Sequence, residues 1–67
     1  MKVGQTLWYY YDAAQAAPWA AIIAQVNADG TVNVLAANSQ GTPFGATGVP
    51  VVEGADPALG HFCRVPT

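Results

Sequence analysis

Two residues near the carboxyl end, His61 and Cys63, have side chains that commonly serve in nucleophilic catalysis and metal binding. They are two positions apart, so a strand would point both to the same side. A structural zinc site takes four ligands, and these two do not complete one. A Cys–His nucleophile also needs the imidazole within hydrogen-bond reach of the sulfur, together with an oxyanion site. Same-face residues two apart rarely supply that geometry. The sequence therefore predicts ordinary strand positions for both residues and no metal site.

The remaining candidates for chemistry also have local structural explanations. The four acidic residues lie in or beside predicted turns, at Asp12, Asp29, Glu53 and Asp56. Carboxylates at such positions accept hydrogen bonds from nearby backbone N–H groups. The glycines of residues 41–48 are irregularly spaced and no lysine follows them, so a phosphate-binding loop is not indicated. The sequence predicts no catalytic residue, no cofactor and no enzymatic activity.

Composition indicates one small domain, spanning residues 1–67, with an unusually apolar character. Hydrophobic residues make up 52% of the chain and charged residues only 9%. A chain of this length buries only about 60% of its unfolded surface, so many apolar side chains must remain near the surface. Free-standing domains normally carry more surface charge than this. We therefore expect part of the surface to rest against another protein.

The distribution of charge and cysteine excludes several classes of function. The formal net charge is −2, and the only basic residues are Lys2 and Arg64, near opposite ends of the chain. Nucleic-acid binding needs several clustered cations, so it is disfavoured. The single cysteine, Cys63, excludes an internal disulfide. No signal-peptide pattern and no apolar run approaching the ~20 residues of a membrane helix is present, so we expect a soluble protein made in the cytoplasm.

The elements that must position these residues begin with a β-hairpin over residues 19–35, WAAIIAQVNADGTVNVL. Asp29 and Gly30 stand between two apolar runs, and glycine readily adopts the left-handed conformation that such turns need. The pattern predicts a type I turn over Ala28 and Asp29, closed by a bulge at Gly30.

This turn also predicts the register of the two strands. Three opposing pairs form one face: Val26 with Val32, Ala24 with Val34, and Ile22 with Ala36. Since side chains alternate with a period of two, those six residues would make a continuous apolar face. Two pairs form the other face: Gln25 with Asn33, and Ile23 with Leu35. That second face would be polar at the turn and apolar away from it.

The first predicted strand, residues 5–11 (QTLWYYY), is rich in aromatic residues, which favour strands. Alternation places Leu7, Tyr9 and Tyr11 on one face and Trp8 and Tyr10 on the other. So small a protein cannot bury four successive rings. One or two are expected in the core, and the others would be amphipathic rim residues or a binding surface for a partner.

Two loops are predicted between the strands. Residues 12–18 (DAAQAAP) form a loop in which a single helical turn remains open, because Asp12 can cap a helix and Pro18 would end it. Residues 37–48 are dense in turn-forming Gly, Asn, Ser, Thr and Pro, which indicates a long turn-rich loop. Its one large apolar residue, Phe44, would anchor it.

Two short strands complete the predicted sheet. Residues 49–53 form one, limited by Pro50 to an edge or first position, and residues 61–65 form the other after a turn at 54–60. In the last strand Phe62 would face the apolar core. The opposite side would carry His61, Cys63 and Val65. Five short strands with frequent turns indicate an all-β sandwich or barrel, and a small barrel is favoured because closure removes exposed edges.

Residues 18–35, PWAAIIAQVNADGTVNVL, resemble a hairpin of the form PWAAxIxxVNxDGTVxL in the small Src-homology-3-like barrels of tailed bacteriophages. The surrounding order is similar as well, with a Val-Gly-Gln start, an aromatic strand and a turn-rich segment ending in Gly-Val-Pro-Val-Val. The resemblance covers most of the chain and is most specific in the hairpin. It implies an all-β, five-stranded Src-homology-3-like barrel with a long turn-rich loop. It also implies a virion-associated role without catalytic residues.

The function predicted on this basis is that of a non-enzymatic structural protein of a phage-like virion, made in the host cytoplasm. Capsid decoration or a head or tail accessory position is favoured, with capsid or tail subunits as partners and self-association left open. Four aromatic residues are the expected partner anchors: Trp8, Tyr10, Trp19 and Phe44. Two alternatives also stay open, a small regulator of a host protein and a peptide-binding adaptor. The adaptor's groove would be lined by Trp8, Tyr9, Tyr10, Tyr11 and Trp19.

Overall fold

Five β-strands form the fold in the computed structural model, which describes residues 1–12, 14–15, 17–54 and 60–66. The strands are β1 (Thr6–Tyr10), β2 (Trp19–Val26), β3 (Val32–Ala37), β4 (Pro43–Val49) and β5 (Phe62–Arg64). They pair antiparallel in one curled sheet with the order β4-β3-β2-β1-β5, and the described residues include no helix. The predicted all-β, five-stranded, barrel-like class is confirmed.

The predicted hairpin turn between β2 and β3 is confirmed. The N–H of Gly30 donates to the carbonyl of Asn27 at 3.1 Å, and the N–H of Asn27 donates to the carbonyl of Thr31 at 2.8 Å. Gly30 has a φ of +89°, the left-handed conformation that the bulge position requires. The Asp29 carboxylate accepts hydrogen bonds from the Thr31 hydroxyl at 2.6 Å and the Thr31 N–H at 3.0 Å. These bonds lower the pKa of Asp29.

The predicted register is right beside the turn and wrong beyond it. Val26 lies opposite Val32, and Gln25 lies opposite Asn33, as expected. The register then shifts between Gln25 and Ile23, which leaves Ala24 as an extra residue in β2. A single inserted residue moves every later side chain to the other face. The observed pairs beyond the bulge are Ile23 with Val34, Ile22 with Leu35, and Ala21 with Ala36.

The bulge reverses the predicted burial of β2. Ile23 and Ala21 are buried, whereas Ile22 and Ala24 are exposed. The β3 half of the predicted apolar face is correct, because Val32, Val34 and Ala36 are all buried. Val26 pairs as predicted but is partly exposed, since it lies at the end of the strand next to the turn.

Strand β4 occupies the segment that was predicted to be a long loop. Its hairpin turn repeats the geometry of the first one. The N–H of Asn38 donates to the carbonyl of Thr42 at 3.1 Å, and the N–H of Gly41, at a φ of +81°, donates to the carbonyl of Asn38 at 2.9 Å. The strand that follows contains Pro43, Gly45 and Gly48, which have low strand propensity, so its β-structure depends largely on pairing with β3.

The predicted strand at residues 49–53 is correspondingly reduced. Val49 is the last residue of β4, and Val51 makes only an isolated parallel bridge to Cys63 of β5. The N–H of Cys63 donates to the carbonyl of Pro50 at 2.8 Å, and the N–H of Val52 donates to the carbonyl of Cys63 at 2.9 Å. The segment after β4 therefore returns to the opposite edge of the sheet and covers the side of β5 that β1 leaves open.

The main core lies on the inner, concave face of the curled sheet. Its buried members are Leu7, Tyr9, Ala21, Ile23, Val32, Val34, Ala36, Val49 and Cys63. The predicted alternation of β1 is confirmed, because Leu7 and Tyr9 are buried while Trp8 points to the outer face. The predicted alternation of β5 is confirmed in part: Phe62 is buried and faces away from Cys63, as expected, but the main core contains Cys63 rather than Phe62. Phe62 is buried on the other side of the sheet, with its ring stacked on Tyr10 at 4.8 Å.

The loop between β1 and β2 is organised by Gln15. Its amide donates to the carbonyls of Tyr9 at 3.1 Å and Ala17 at 2.6 Å, and its oxygen accepts from the N–H of Tyr11 at 2.9 Å. The Asp12 carboxylate accepts from the N–H of Ala14 at 2.9 Å. The described residues here form turns without a helix, and two positions of the possible helical turn, residues 13 and 16, lie outside the described residues.

Candidate partner-binding site

The structure divides the four predicted anchors between two pockets. Trp19 lies opposite Tyr9 in the β1–β2 ladder, and Phe44 lies opposite Ala36 in the β3–β4 ladder, so both share the inner face of the sheet. Trp8 lies opposite Arg64 and belongs to the outer face, as does Tyr10. The four predicted anchors therefore belong to two separate surfaces.

The first pocket, called the Trp19 pocket here, is a concavity of about 240 Å³. Its lining residues are Tyr11, Trp19, Asn38 and Phe44. The ring of Trp19 meets the ring of Phe44 edge to face, with centroids 5.8 Å apart. Both rings pack on the buried core and keep part of their surface in the pocket. Tyr11 is 64% exposed and stands at its rim.

Tyr9 supports the Trp19 pocket from beneath. Its ring is 2% exposed, stacks on Trp19 at 6.3 Å and meets Phe44 at 5.5 Å. A hydrogen bond of 3.0 Å joins the Tyr9 hydroxyl to Nδ1 of His61, and burial raises the pKa of Tyr9. Tyr9 is therefore held at both its ring and its hydroxyl. Because the rings of Trp19 and Phe44 pack against it, they are held in place before any partner binds.

The second pocket, called the Trp8 pocket here, lies on the outer face and measures about 340 Å³. Its lining residues are Trp8, Tyr10, Val52, Glu53, Arg64 and Val65. Trp8 is 38% exposed, and Tyr10 is fixed from behind by its stacking on Phe62. The Arg64 guanidinium donates to the carbonyls of Val52 at 3.4 Å and Gly54 at 2.8 Å. This pocket therefore combines two aromatic walls with one basic and one acidic side chain.

A third surface, called the apolar outer patch here, lies beside the Trp8 pocket. It consists of Thr6, Ala20, Ile22, Leu35, Ala37 and Pro43, which surround a shallow concavity of about 340 Å³. Ile22 and Leu35 face each other across β2 and β3 and are 42% and 53% exposed. Sequence reasoning missed this surface because the bulge at Ala24 turns Ile22 outward instead of into the core.

The two residues considered for nucleophilic catalysis, Cys63 and His61, have different surroundings and different contacts in the structure. Cys63 is fully buried in the main core, and burial raises the pKa of its thiol to about 11. A thiol with so high a pKa remains protonated near neutral pH and is a poor nucleophile. Nδ1 of His61 is engaged with Tyr9. Within the described part of the chain, no group of three or more His, Cys, Asp or Glu residues could hold a metal ion.

Comparisons with known proteins identify no relative. No family model, no curated protein and no solved structure matches the chain. The resemblance to phage barrels in residues 18–35 therefore stays a prediction that rests on the residues themselves.

Two lining residues of the Trp19 pocket were absent from the predicted anchors. Asn38 reaches the pocket because it opens the β3–β4 turn, and the sequence Asn-x-x-Gly-Thr, present at both 27–31 and 38–42, was the available signal. Tyr11 was predicted to share a face with the buried Tyr9, but it lies just beyond the end of β1 and is exposed.

In the portion of the chain described by the structure, no helix is long and apolar enough to span a membrane.

Proposed function

We propose that this protein is a non-enzymatic structural subunit of a phage-like virion, made in the host cytoplasm, that binds other virion proteins. Capsid decoration or a head or tail accessory position is the favoured role. The observation that carries the proposal is the pair of preformed aromatic pockets on a protein of very low charge. The resemblance of residues 18–35 to phage barrel hairpins supplies the virion context.

The pockets have the properties of protein-binding anchors. Aromatic rings are enriched at the centres of protein interfaces, where a few of them supply most of the binding energy. One ring of each pocket is held by a stacking partner, Trp19 by Tyr9 and Tyr10 by Phe62. Side chains that are already ordered lose little conformational entropy on binding, which favours affinity.

The charge distribution supports a protein rather than a nucleic acid as the partner. The chain has a net charge of −2, and its two basic residues are Lys2 and Arg64. Arg64 is hydrogen-bonded to two backbone carbonyls. A partner of this protein would be recognised mainly through apolar and aromatic contact, with Glu53 and Arg64 adding polar specificity at one pocket.

A second candidate function, a peptide-binding adaptor, is favoured by one observation. The Trp19 pocket places Asn38 beside two aromatic rings. Its Oδ1 accepts from the N–H groups of Gln40 and Thr42, so its NH2 group is the part that could donate to a carbonyl of an extended peptide with one apolar side chain. The single groove of five aromatic residues considered in the sequence is not formed. Trp8 and Tyr10 line the other pocket, and the Tyr9 ring is buried.

The proposal is tested by adding purified variants to virions that lack the protein and measuring co-sedimentation. Tyr11→Ala and Trp8→Ala each remove an exposed ring from one pocket, so both variants should fold. We expect at least one of them to lose binding by tenfold or more. Val3→Ala, which truncates an apolar residue as exposed as Tyr11 and outside both pockets, is the control and should bind like the wild type.

Two results would count against the proposal. If the wild type does not co-sediment with virions, the virion role is wrong. If the wild type co-sediments and both folded pocket variants do so equally well, the aromatic anchors are wrong. Binding of the wild type to isolated extended peptides, with loss in Tyr11→Ala only, would favour the adaptor.

A further inference from the structure

The two edges of the sheet differ in how their backbone groups are used. At the β5 edge, Val51 bridges to Cys63, and the N–H of Val52 donates to the carbonyl of Cys63 at 2.9 Å. Strand β4 forms the other edge, and among the described residues it pairs only with β3. The far side of β4, called the free edge here, is therefore not covered by any described part of the chain.

The β3–β4 turn determines which residues of β4 bond to β3. The N–H of Asn38 donates to the carbonyl of Thr42, and from this pair onward hydrogen-bonded and non-hydrogen-bonded pairs alternate. Phe44 and Ala46 therefore direct both their N–H and their C=O groups towards β3. Pro43 has no N–H and falls in a non-hydrogen-bonded pair, which agrees with this alternation.

Four backbone groups consequently project from the free edge. In a planar trans peptide the C=O of one residue and the N–H of the next point in opposite directions. The C=O of Pro43, both groups of Gly45 and the N–H of Thr47 therefore point away from β3. All three residues are exposed, and none of these four groups has a hydrogen-bond partner among the described residues.

A row of alternating acceptors and donors is a template for a further strand, and sheets commonly protect such edges with charged side chains. Residues 43–49, PFGATGV, contain no charge. Pro43 at one end and Gly48, with a φ of +63°, at the other limit the open stretch to residues 43–47. We propose that the free edge of β4 binds an extended segment of another protein as an added strand. The inference deepens the proposed function and rests on it only in taking a protein as the partner.

The free edge selects both the chemistry and the source of its occupant. Donors and acceptors that alternate at the repeat of a strand match another extended polypeptide backbone. The β4 strand of a second copy is a poor match, because the ring of its Phe44 is already packed on Tyr9 and Trp19. Its other side chains over residues 43–47 are small. Since cross-strand side-chain pairs stabilise a sheet, a strand of another protein with larger apolar residues pairs better.

The Trp19 pocket adds a side-chain contact to this backbone ladder. Phe44 belongs to β4 and also lines the pocket, together with Trp19 and Tyr11. Residues directly opposite each other in paired strands have their side chains on the same face. The residue of an added strand that lies opposite Phe44 therefore points to the inner face, beside the pocket. We expect the ladder to bind many extended segments and the pocket to favour those with an apolar residue at this position.

Hydrogen exchange followed by NMR tests the free edge in the protein alone. The amides of Phe44 and Ala46, bonded to β3, should exchange about tenfold or more slowly than those of Gly45 and Thr47. If the Gly45 amide of the monomer is protected as strongly as that of Phe44, the edge is not free and the proposal is wrong.

Fluorescence polarisation tests strand addition, with short labelled peptides in which threonine alternates with valine, leucine or tryptophan as probes. The wild type should bind at least one of them. Gly45→Pro removes an outward N–H and places a ring at the free edge, so it should raise the dissociation constant about tenfold or more. Gly45→Ala is the matched control. It keeps the N–H and adds a methyl group where nothing lies within 4 Å, so it should bind like the wild type.

Circular dichroism establishes that each variant is folded, and Thr47→Pro with Thr47→Ala replaces the pair if Gly45→Pro is not. A wild type that binds none of the peptides overturns the proposal. So does binding that Gly45→Pro leaves intact or that Gly45→Ala weakens equally. Protection of the Gly45 amide that grows with protein concentration would assign the edge to a second copy and also overturns it. Peptide binding lost only in Gly45→Pro supports the proposal even if the wild type does not co-sediment with virions, so the two proposals fail separately.

Discussion

The bulge at Ala24 determines which of two adjacent isoleucines belongs to the core, so it predicts which of them contributes more to stability. With the bulge, Ile23 is 1% exposed and packs on the main core, while Ile22 lies on the outer patch. Without it, the two residues would exchange places. Truncating each to the same smaller residue therefore distinguishes the two registers.

The expected difference can be estimated from burial. Ile→Ala at a buried position costs about 2–5 kcal/mol, and Ile→Val about 0.5–1.5 kcal/mol. A domain of this length has on the order of 3–10 kcal/mol of stability in total, so Ile23→Ala removes a large part of it. At the exposed Ile22 we expect a loss below about 1 kcal/mol for alanine in the monomer. Since each kcal/mol shifts the melting temperature of a small domain by about 4–8 °C, Ile23→Ala should lower it by about 8 °C or more.

Urea unfolding followed by circular dichroism provides the measurement. Ile23→Val and Ile22→Val form the matched pair that keeps both proteins folded, and equal m values establish that only stability has changed. If Ile22→Val destabilises the monomer more than Ile23→Val, the bulged register is wrong.

Three further changes have expected outcomes of their own. Gly30→Val should lower the free energy of unfolding by about 1 kcal/mol or more, because a β-branched residue resists the φ of +89°. Gly45→Ala, at a glycine with open space around it, should not destabilise the protein. Equal losses for the two variants in thermal melts would argue against the bulged turn. Tyr9→Phe should cost about 1 kcal/mol by removing the hydrogen bond to His61, and unchanged stability would show that the bond contributes nothing. Burial raises the pKa of Cys63 from 9.0 to about 11, so above pH 9 the unfolded chain loses its thiol proton first and stability falls as pH rises towards 11. Urea melts between pH 8 and 11 should show that the free energy of unfolding of the wild type falls by about 3 kcal/mol at most, and that of Cys63→Ala by less. If stability depends on pH in the same way in both proteins, the fall does not come from Cys63.

The residues show why part of the fold was predictable from sequence. The alternation of Leu7, Trp8 and Tyr9 follows directly from the period of a strand, and it places the right side chains inside. The turn at residues 27–31 was predictable because Asp-Gly between two apolar runs is a strong hairpin signal, and Gly30 readily adopts the positive φ that the turn needs. Both signals are local, and neither depends on what the rest of the chain does.

The errors arise where tertiary pairing overrides local signals. Ala24 has nothing in its sequence context to mark it as a bulge, and one inserted residue was enough to reverse the faces of Ile22 and Ile23. The sequence predicts a loop at β4 because Gly and Pro rarely favour strands on their own. Pairing with β3 provides the hydrogen bonds that its composition does not suggest.

The candidate site was predictable in residue type but not in arrangement. Trp8 and Trp19 were expected as anchors because of their chemistry, and both are partly exposed. Their separation into two pockets depends on the cross-strand pairs Trp8–Arg64 and Tyr9–Trp19, which no local pattern specifies. Asn38 and Tyr11 join the Trp19 pocket only because the curled sheet brings the β3–β4 turn close to the end of β1.

Quantitative mass spectrometry of purified virions tests the proposed role most directly. Virions from a lysate of the host that carries the gene are purified through successive density gradients, and the protein is measured against the major capsid protein at each step. A structural subunit held by the Trp8 and Trp19 pockets should remain at a constant ratio to the capsid protein through every step and in independent preparations. A ratio that falls with each gradient, as for a contaminating host protein, would contradict the virion role.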